Sequence, residues 1–289
     1  MSPSATTRSR IARRFESLRA AGELGIVAYI TAGDPTLEAT RRFVPALAEA
    51  GADIIELGVP FSDPVADGPT IQRASERALA SGTTLGKILS LLRNLRGATQ
   101  VPIVLFSYYN PVLQMGLDRF AGVAAEAGAD GVLITDLTPE EASEYRAAVS
   151  ARGLDTIFLA APTSTNERLA RIAGCSSGFL YVVSRTGVTG AKESLPEELP
   201  ALLRRVRAAT KLPLAVGFGI SLPGHVSLLG GLADAAVVGS ALVSDIEQAT
   251  SMDGASAPAV EAACAALAER MTALKRAARS GMSRREGVP

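Results

Sequence analysis

The sequence predicts an α/β chain folded as a single (β/α)8 TIM barrel with an extra N-terminal helix. Three observations carry the prediction. First, eight short apolar runs alternate with eight helical stretches, and no linker or charge block divides them. Second, 289 residues with 47% hydrophobic but only 4% aromatic content call for a core of Ala, Val, Leu and Ile, which suits parallel strands buried on both faces. Third, repeated right-handed βα units close most simply into a barrel, at a chain length such barrels routinely reach. The alternative, an open doubly wound sheet, favours a glycine fingerprint after the first strand, and Gly33-Asp34-Pro35 is not one.

The elements follow in order. Residues 1–10, rich in Ser, Thr and Arg, read as a flexible tail, 11–280 as the barrel and 281–289 as a polar tail. Ile11, Phe15 and Leu18 recur at helical spacing, so a helix precedes the first strand and is placed to plug one end of the barrel. Gly25 to Thr31 is the first strand, broken by Gly33-Asp34-Pro35-Thr36, where a helix begins that reaches about Ala50. Ile54 to Gly58 is the second, followed by a loop dense in Pro, Gly and Asp and by helices near 70–81 and 84–95. Further strands are read at Val101–Phe106, Gly131–Ile134, Thr156–Ala160, Gly178–Val183, Leu214–Val216 and Ala235–Val238. The intervening helices fall at Leu117–Ala127, Pro139–Ala151, Asn166–Ala173, Leu199–Ala209 and Pro223–Leu229, and an Ala-rich helix closes the chain from Ala257 to Ala278.

Charge and composition exclude several functions. Twenty-nine basic residues balance 29 acidic ones, which leaves no electrostatic footprint for nucleic acid or an anionic membrane. His225 is the one histidine, and no Cys or His cluster has metal-ligand spacing. Cys175 and Cys264 sit among apolar and small residues, as reduced thiols of a cytoplasmic protein do. No apolar run reaches the length of a membrane span.

Chemistry is expected at the carboxyl ends of the strands. Glu56 ends the apolar run of the second strand and Asp67 lies in the loop stiffened by Pro60, Pro64, Gly68 and Pro69. The two acids are either a general acid and base at one rim or a salt-bridged strand end and a helix-capping turn residue. Gly217 and Gly219 follow one late strand, and Gly239 and Ser240 follow the next; both places suit an anion held by backbone N–H groups. Gly217-Phe218-Gly219 lacks the third glycine of a dinucleotide fingerprint, since Leu222 stands there. Gly82 to Lys87 is one residue short of a P-loop, and Ile88 replaces its Ser or Thr. The loop Ser184-Arg185-Thr186-Gly187-Val188-Thr189-Gly190 is either a lid over a ligand or a surface loop. Tyr29, Tyr108, Tyr181 and Phe218 lie near strand ends, as pocket or as packing residues.

In this arrangement the chain closely resembles the tryptophan synthase alpha-subunit family from about Arg14 to Ala278. The carrying motifs are ITAGDPT from Ile30, ELGVPFSDPVADGPTIQ from Glu56, YYNPV from Tyr108, SRTGVTG from Ser184, GFGIS from Gly217 and GSALV from Gly239. The family departs from this sequence at Thr138, where a Pro is usual. The resemblance implies retro-aldol cleavage of indole-3-glycerol phosphate to indole and glyceraldehyde 3-phosphate, without metal or organic cofactor. It implies that Glu56 is the acid/base, that Asp67 holds the indole N–H, and that Tyr181 assists in positioning. Tyr29, Tyr108 and Phe218 would form the indole pocket; Gly190, Gly219, Gly239 and Ser240 would hold the phosphate. Arg185, Gly187 and Thr189 would belong to the closing loop. It further implies a pyridoxal-phosphate β subunit as partner in an αββα heterotetramer, met through Pro60, Asp63 and Pro64 and the YYNPV segment. A stand-alone lyase and a catalytically idle activator of a β subunit are the alternatives. The sequence agrees with carboxylate chemistry, because no Lys ends a strand to form a Schiff base and one His makes no metal cage. Burial of Glu56 beside another acid predicts a raised pKa.

Overall fold

The protein is described by a computed structural model that covers residues 9–184, 195–217, 219–252 and 254–283. Its sheet is wholly parallel, with the order β5-β4-β3-β2-β1-β9-β8-β7-β6. The strands are β1 (Gly25–Thr31), β2 (Ile54–Gly58), β3 (Ile103–Ser107), β4 (Gly131–Ile134), β5 (Asp155–Ile157), β6 (Leu159–Ala160), β7 (Leu180–Val183), β8 (Leu214–Gly217) and β9 (Ala235–Val238). The two sheet edges, β5 and β6, are halves of one run interrupted at Phe158. The first half pairs with β4 and the second with β7, and Tyr181 N–H bonds across the gap to the Phe158 carbonyl at 3.2 Å. The ring is therefore an eight-strand barrel whose seam is closed by the chain itself.

Alternation along the strands divides the apolar residues into two clusters, as the period of two requires. Val27, Tyr29, Ile54, Val104, Phe106, Leu133, Ile157, Phe179, Tyr181, Ala215 and Val237 fill the barrel interior. Ile26, Ala28, Ile30, Ile55, Leu57, Ile103 and Leu105 face outward into the helical layer. Helix α1 (Arg10–Ala21) puts Ile11, Phe15 and Leu18 into the interior cluster, and Phe15 meets Phe179 with ring centroids 5.9 Å apart. It is the plug the sequence predicts. Ser9 accepts from Ala12 N–H at 3.1 Å at its start, and Gly22, at φ 63°, ends it in the left-handed region.

The remaining helices are α2 (Leu37–Glu49), α3 (Pro69–Ala80), α4 (Leu85–Leu95), α5 (Tyr109–Met115), α6 (Leu117–Ala127), α7 (Ser143–Ala151), α8 (Asn166–Cys175), α9 (Leu199–Ala209), α10 (Pro223–Leu229), α11 (Ser240–Thr250) and α12 (Ala257–Ser283). Thr36, Thr84 and Thr165 cap α2, α4 and α8 through their hydroxyls. Several boundaries differ from the sequence reading. Residues 139–141 are turn and α7 starts at Ser143; β3 starts after Pro102, which has no N–H for the ladder. Two helices, α5 and α11, occupy stretches read as loop.

At the N-terminal end of the barrel an Asp precedes or opens several strands and accepts from the backbone entering a neighbouring strand. Asp53 takes Ile26 N–H at 2.6 Å, Asp130 takes Ile103 N–H at 2.8 Å, and Asp234 takes Leu214 N–H at 2.8 Å. Each is also ion-paired: Asp53 with Arg14 and Lys275, Asp130 with Arg10 and Arg96, Asp234 with Arg207. The two buried ones, Asp53 and Asp130, are thereby satisfied, whereas Asp155, which opens β5, leaves Oδ2 without a hydrogen-bond partner among the described residues.

Candidate active site

At the opposite end of the barrel the C-termini of the strands surround a cavity of about 460 Å³. Its walls include Tyr29, Glu56, Asp67, Ile71, Phe106, Tyr181, Gly219, Ser221, Val237, Gly239, Ser240, Gln248 and Arg270. Glu56 and Asp67 thus share one cavity with the small residues of the two late loops, as the acid/base alternative requires and the salt-bridge alternative does not.

Glu56 sits on β2 in register with Tyr29 on β1 and Val104 on β3, inside the barrel. It is fully buried, and neither carboxyl oxygen has a hydrogen-bond partner among the described residues. Loss of water pushes its pKa up from 4.5 to about 8. The rise expected from sequence is present, but its cause is burial and not repulsion by Asp67. At neutral pH Glu56 is a carboxylic acid with a proton to give.

Asp67 is held by the loop between β2 and α3. Its N–H bonds to the Pro64 carbonyl at 3.0 Å, and its carbonyl accepts from the Gln72 side chain at 2.9 Å. Burial raises its pKa from 3.8 to about 6, against the lowering effect of the Tyr108 hydroxyl, which donates to the carboxylate at 3.1 Å. Two carboxyl groups in one cavity therefore titrate apart, the arrangement that separates an acid from an anion.

Tyr108 is placed differently from the resemblance's assignment. It is buried, lies outside the cavity wall, stacks on Phe61 at 5.1 Å and accepts from Ala66 N–H at 2.9 Å while donating to Asp67. It braces the acidic loop. The aromatic wall consists of Tyr29, Tyr181 and Phe106, the last packed edge-on to Tyr29 at 5.1 Å. A Cβ at Gly58 or Gly217 would collide with the Tyr29 or Tyr181 hydroxyl, so those glycines are what lets the two tyrosines lie across the barrel mouth. Both phenols are fully buried, and burial, with smaller contributions from nearby Glu56 and Asp67, holds their pKa values well above 10. They remain neutral O–H groups.

Gly219, Gly239 and Ser240, expected to cradle an anion, also line the cavity. Gly219 adopts φ 100°, a left-handed conformation that favours glycine, and Gly239 is the N-cap of α11, so the free N–H groups of that helix begin at Ser240. Arg270 is the one cationic side chain on the wall among the described residues, and it is forked onto Asp245. Phe218, Arg185, Gly187, Thr189 and Gly190 lie outside the described residues. Pro60 is buried, while half-buried Pro64 and exposed Asp63 line a shallow groove with Phe61 and Leu79.

Sequence reasoning missed Phe106, Val237, Gln248 and Arg270. The first two are inward positions by alternation from Val104 and Ala235, a signal that was readable. Gln248 and Arg270 come from α11 and α12, and no local pattern shows which turns of those helices face the mouth.

Among the described residues no group of His, Cys, Asp and Glu is arranged to hold a metal ion, and no helix is long and apolar enough to cross a membrane. The family model described as tryptophan synthase alpha chain matches residues 15–274. The tryptophan synthase alpha chain of Solibacter usitatus is 57% identical over 240 residues, covering 83% of this chain and 90% of that one. That of Geobacter sulfurreducens is 52% identical over 245 residues, covering 85% and 93%. Among solved structures, tryptophan synthase of Mycobacterium tuberculosis superposes with TM-score 0.84 at 37% identity over 94% of this chain and 99% of that one. The alpha subunit from Legionella pneumophila gives TM-score 0.84 at 37% identity over 95% and 100%. With this cavity, this fold and these relatives, the chain belongs to the tryptophan synthase alpha chain family, the lyases that cleave indole-3-glycerol phosphate in tryptophan biosynthesis.

Proposed function

We propose that Glu56 is the acid and base of that cleavage and Asp67 the anion that steadies the indole. The protonated Glu56 carboxyl gives its proton to indole C3, and the cationic ring becomes the electron sink for the C3–C3′ bond. As that bond breaks, its electron pair returns to the ring, the glycerol C3′ hydroxyl becomes an aldehyde, and its proton returns to Glu56. Asp67 accepts the indole N–H and balances the transient positive charge, an interaction strengthened by exclusion of water. Tyr181 and Tyr29 position the reacting carbons with neutral hydroxyls, and Tyr108 acts through Asp67. Gly219, Gly239 and Ser240 receive the phosphate, joined, by resemblance, by Gly190 and the loop of Arg185, Gly187 and Thr189.

The observation that carries this reading is the pairing of a partnerless buried Glu56 with a braced Asp67 in one cavity. No organic cofactor is assigned to this chain; the chemistry needs only its own acids, and pyridoxal phosphate belongs to the β partner. A β subunit bound through Pro60, Asp63, Pro64 and α5 in an αββα assembly is supported by two large exposed side chains in those segments, Val65 at 80% and Leu113 at 50%. The chain contains no Trp, so indole release is readable by fluorescence. Turnover is expected from the chain alone, raised by added β subunit and reduced about a thousandfold by Glu56→Gln. Turnover that survives Glu56→Gln would refute the assignment.

A further inference from the structure

The motif Gly33-Asp34-Pro35 has no part in the chemistry above, yet Asp34 is fully buried and charged partners are built around it. Arg77 on α3 forks onto it, Nε to Oδ1 at 2.7 Å and Nη2 to Oδ2 at 2.8 Å. Its third nitrogen, Nη1, donates to Glu247 on α11 at 2.8 Å. Arg73 forks onto the same Glu247 with both contacts at 2.7 Å. The backbone before Asp34 is anchored on two sides: Ser81, just past α3, donates to the Gly33 carbonyl at 3.2 Å, and Gly33 N–H bonds to Thr40 Oγ1 on α2 at 2.9 Å. A shift of Arg77 that Asp34 does not follow thus breaks a buried pair.

Each of the two helices joined here carries part of the cavity wall. Helix α3 begins two residues after Asp67, and Gln72 on it holds the Asp67 carbonyl at 2.9 Å. Helix α11 begins at Ser240, the predicted phosphate end. Building on the functional reading above, we propose that Arg77, bridging Asp34 and Glu247, is a positioning residue that sets the span between the indole end and the phosphate end of the site. Neither end is made by this cluster; only their separation is. A substrate with both groups on one short linker gains from that fixed span, and single fragments do not.

Three probes test this by equilibrium binding: indole, glycerol 3-phosphate, and an uncleavable joined analogue, indole with a propyl phosphate chain at C3. In Glu247→Gln both fragments are expected to bind within about twofold of the parent, while the joined analogue weakens about tenfold and kcat/KM falls in parallel. Arg77→Lys should behave likewise, since one ammonium cannot replace a three-nitrogen fork. If either variant fails to fold, Arg73→Gln trims only the outer fork, and a loss of about threefold on the joined analogue alone is expected. An unchanged joined analogue overturns the proposal, and so does an equal loss on all three probes, which reports a loosened fold. A parent chain that binds the joined analogue but does not cleave indole-3-glycerol phosphate would defeat the functional reading instead, and the binding comparison would still decide this one.

Discussion

Asp53 and Glu56 stand three residues apart, one just before β2 and one in its middle, at 1% and 0% exposure. Around Asp53 are Ile26 N–H at 2.6 Å, Lys275 Nζ at 3.0 and 2.9 Å, and Arg14. Around Glu56 there is no hydrogen-bond partner among the described residues. Burial is the same, so burial does not distinguish a structural acid from a reactive one. Partners do, for this pair: the carboxylate entering β2 is saturated, and the one facing the cavity is left hungry for a proton.

The sharpest way to break this comparison is to neutralise each acid in turn and measure urea unfolding. Asp53→Asn should destabilise by about 3–5 kcal/mol, because Lys275 and Arg14 lose their counter-charge in a buried place. Glu56→Gln should do the reverse. The unfolded chain releases the Glu56 proton near 4.5 and the native one near 8. Between those values the native state holds the extra proton, so rising pH favours unfolding, by roughly 5 kcal/mol once pH exceeds 8. The gain from Glu56→Gln should accordingly grow from pH 5 to pH 8 and then level off. Loss of stability in both variants would end the distinction.

A smaller effect sharpens it. If Glu56 acts protonated and Asp67 ionised, kcat/KM rises as Asp67 loses its proton near 6 and falls as Glu56 loses its own near 8. A profile flat across that window would contradict the assignment. The smallest expected effect belongs to Tyr108→Phe, which removes the hydroxyl that lowers the Asp67 pKa. The acidic limb should then move upward by less than about one unit, with the basic limb unmoved. Movement of both limbs would mean that Tyr108 touches Glu56 as well.

Much of this was legible beforehand. The barrel followed from the alternation of apolar runs and helices, and Glu56 from the end of an apolar run at a proline-rich loop. The caps at Thr36 and Thr84 were local signals of the kind sequence carries well. Helix α11 was missed although Leu242, Val243 and Ile246 mark its buried face, because Gly239-Ser240 read as the end of a strand and not as a helix start. The break at Phe158 was invisible because the run Thr156 to Ala160 carries no Gly or Pro to mark it, and only the differing neighbours of β5 and β6 reveal it. Tyr108 was assigned to the pocket by resemblance, and its place near a strand end left pocket and packing both open; which way a ring turns there depends on Phe61 and Ala66, supplied by another loop.

The contact between Lys275 and Asp53 joins residues 222 positions apart. During synthesis Asp53 emerges long before its ammonium partner, while Arg14 has already left the ribosome. A nascent barrel therefore carries that carboxylate with one of its two cations until the last helix is translated and docks. Stalling an extended chain before and after Lys275 has cleared the ribosome should yield nascent chains of sharply different resistance to protease.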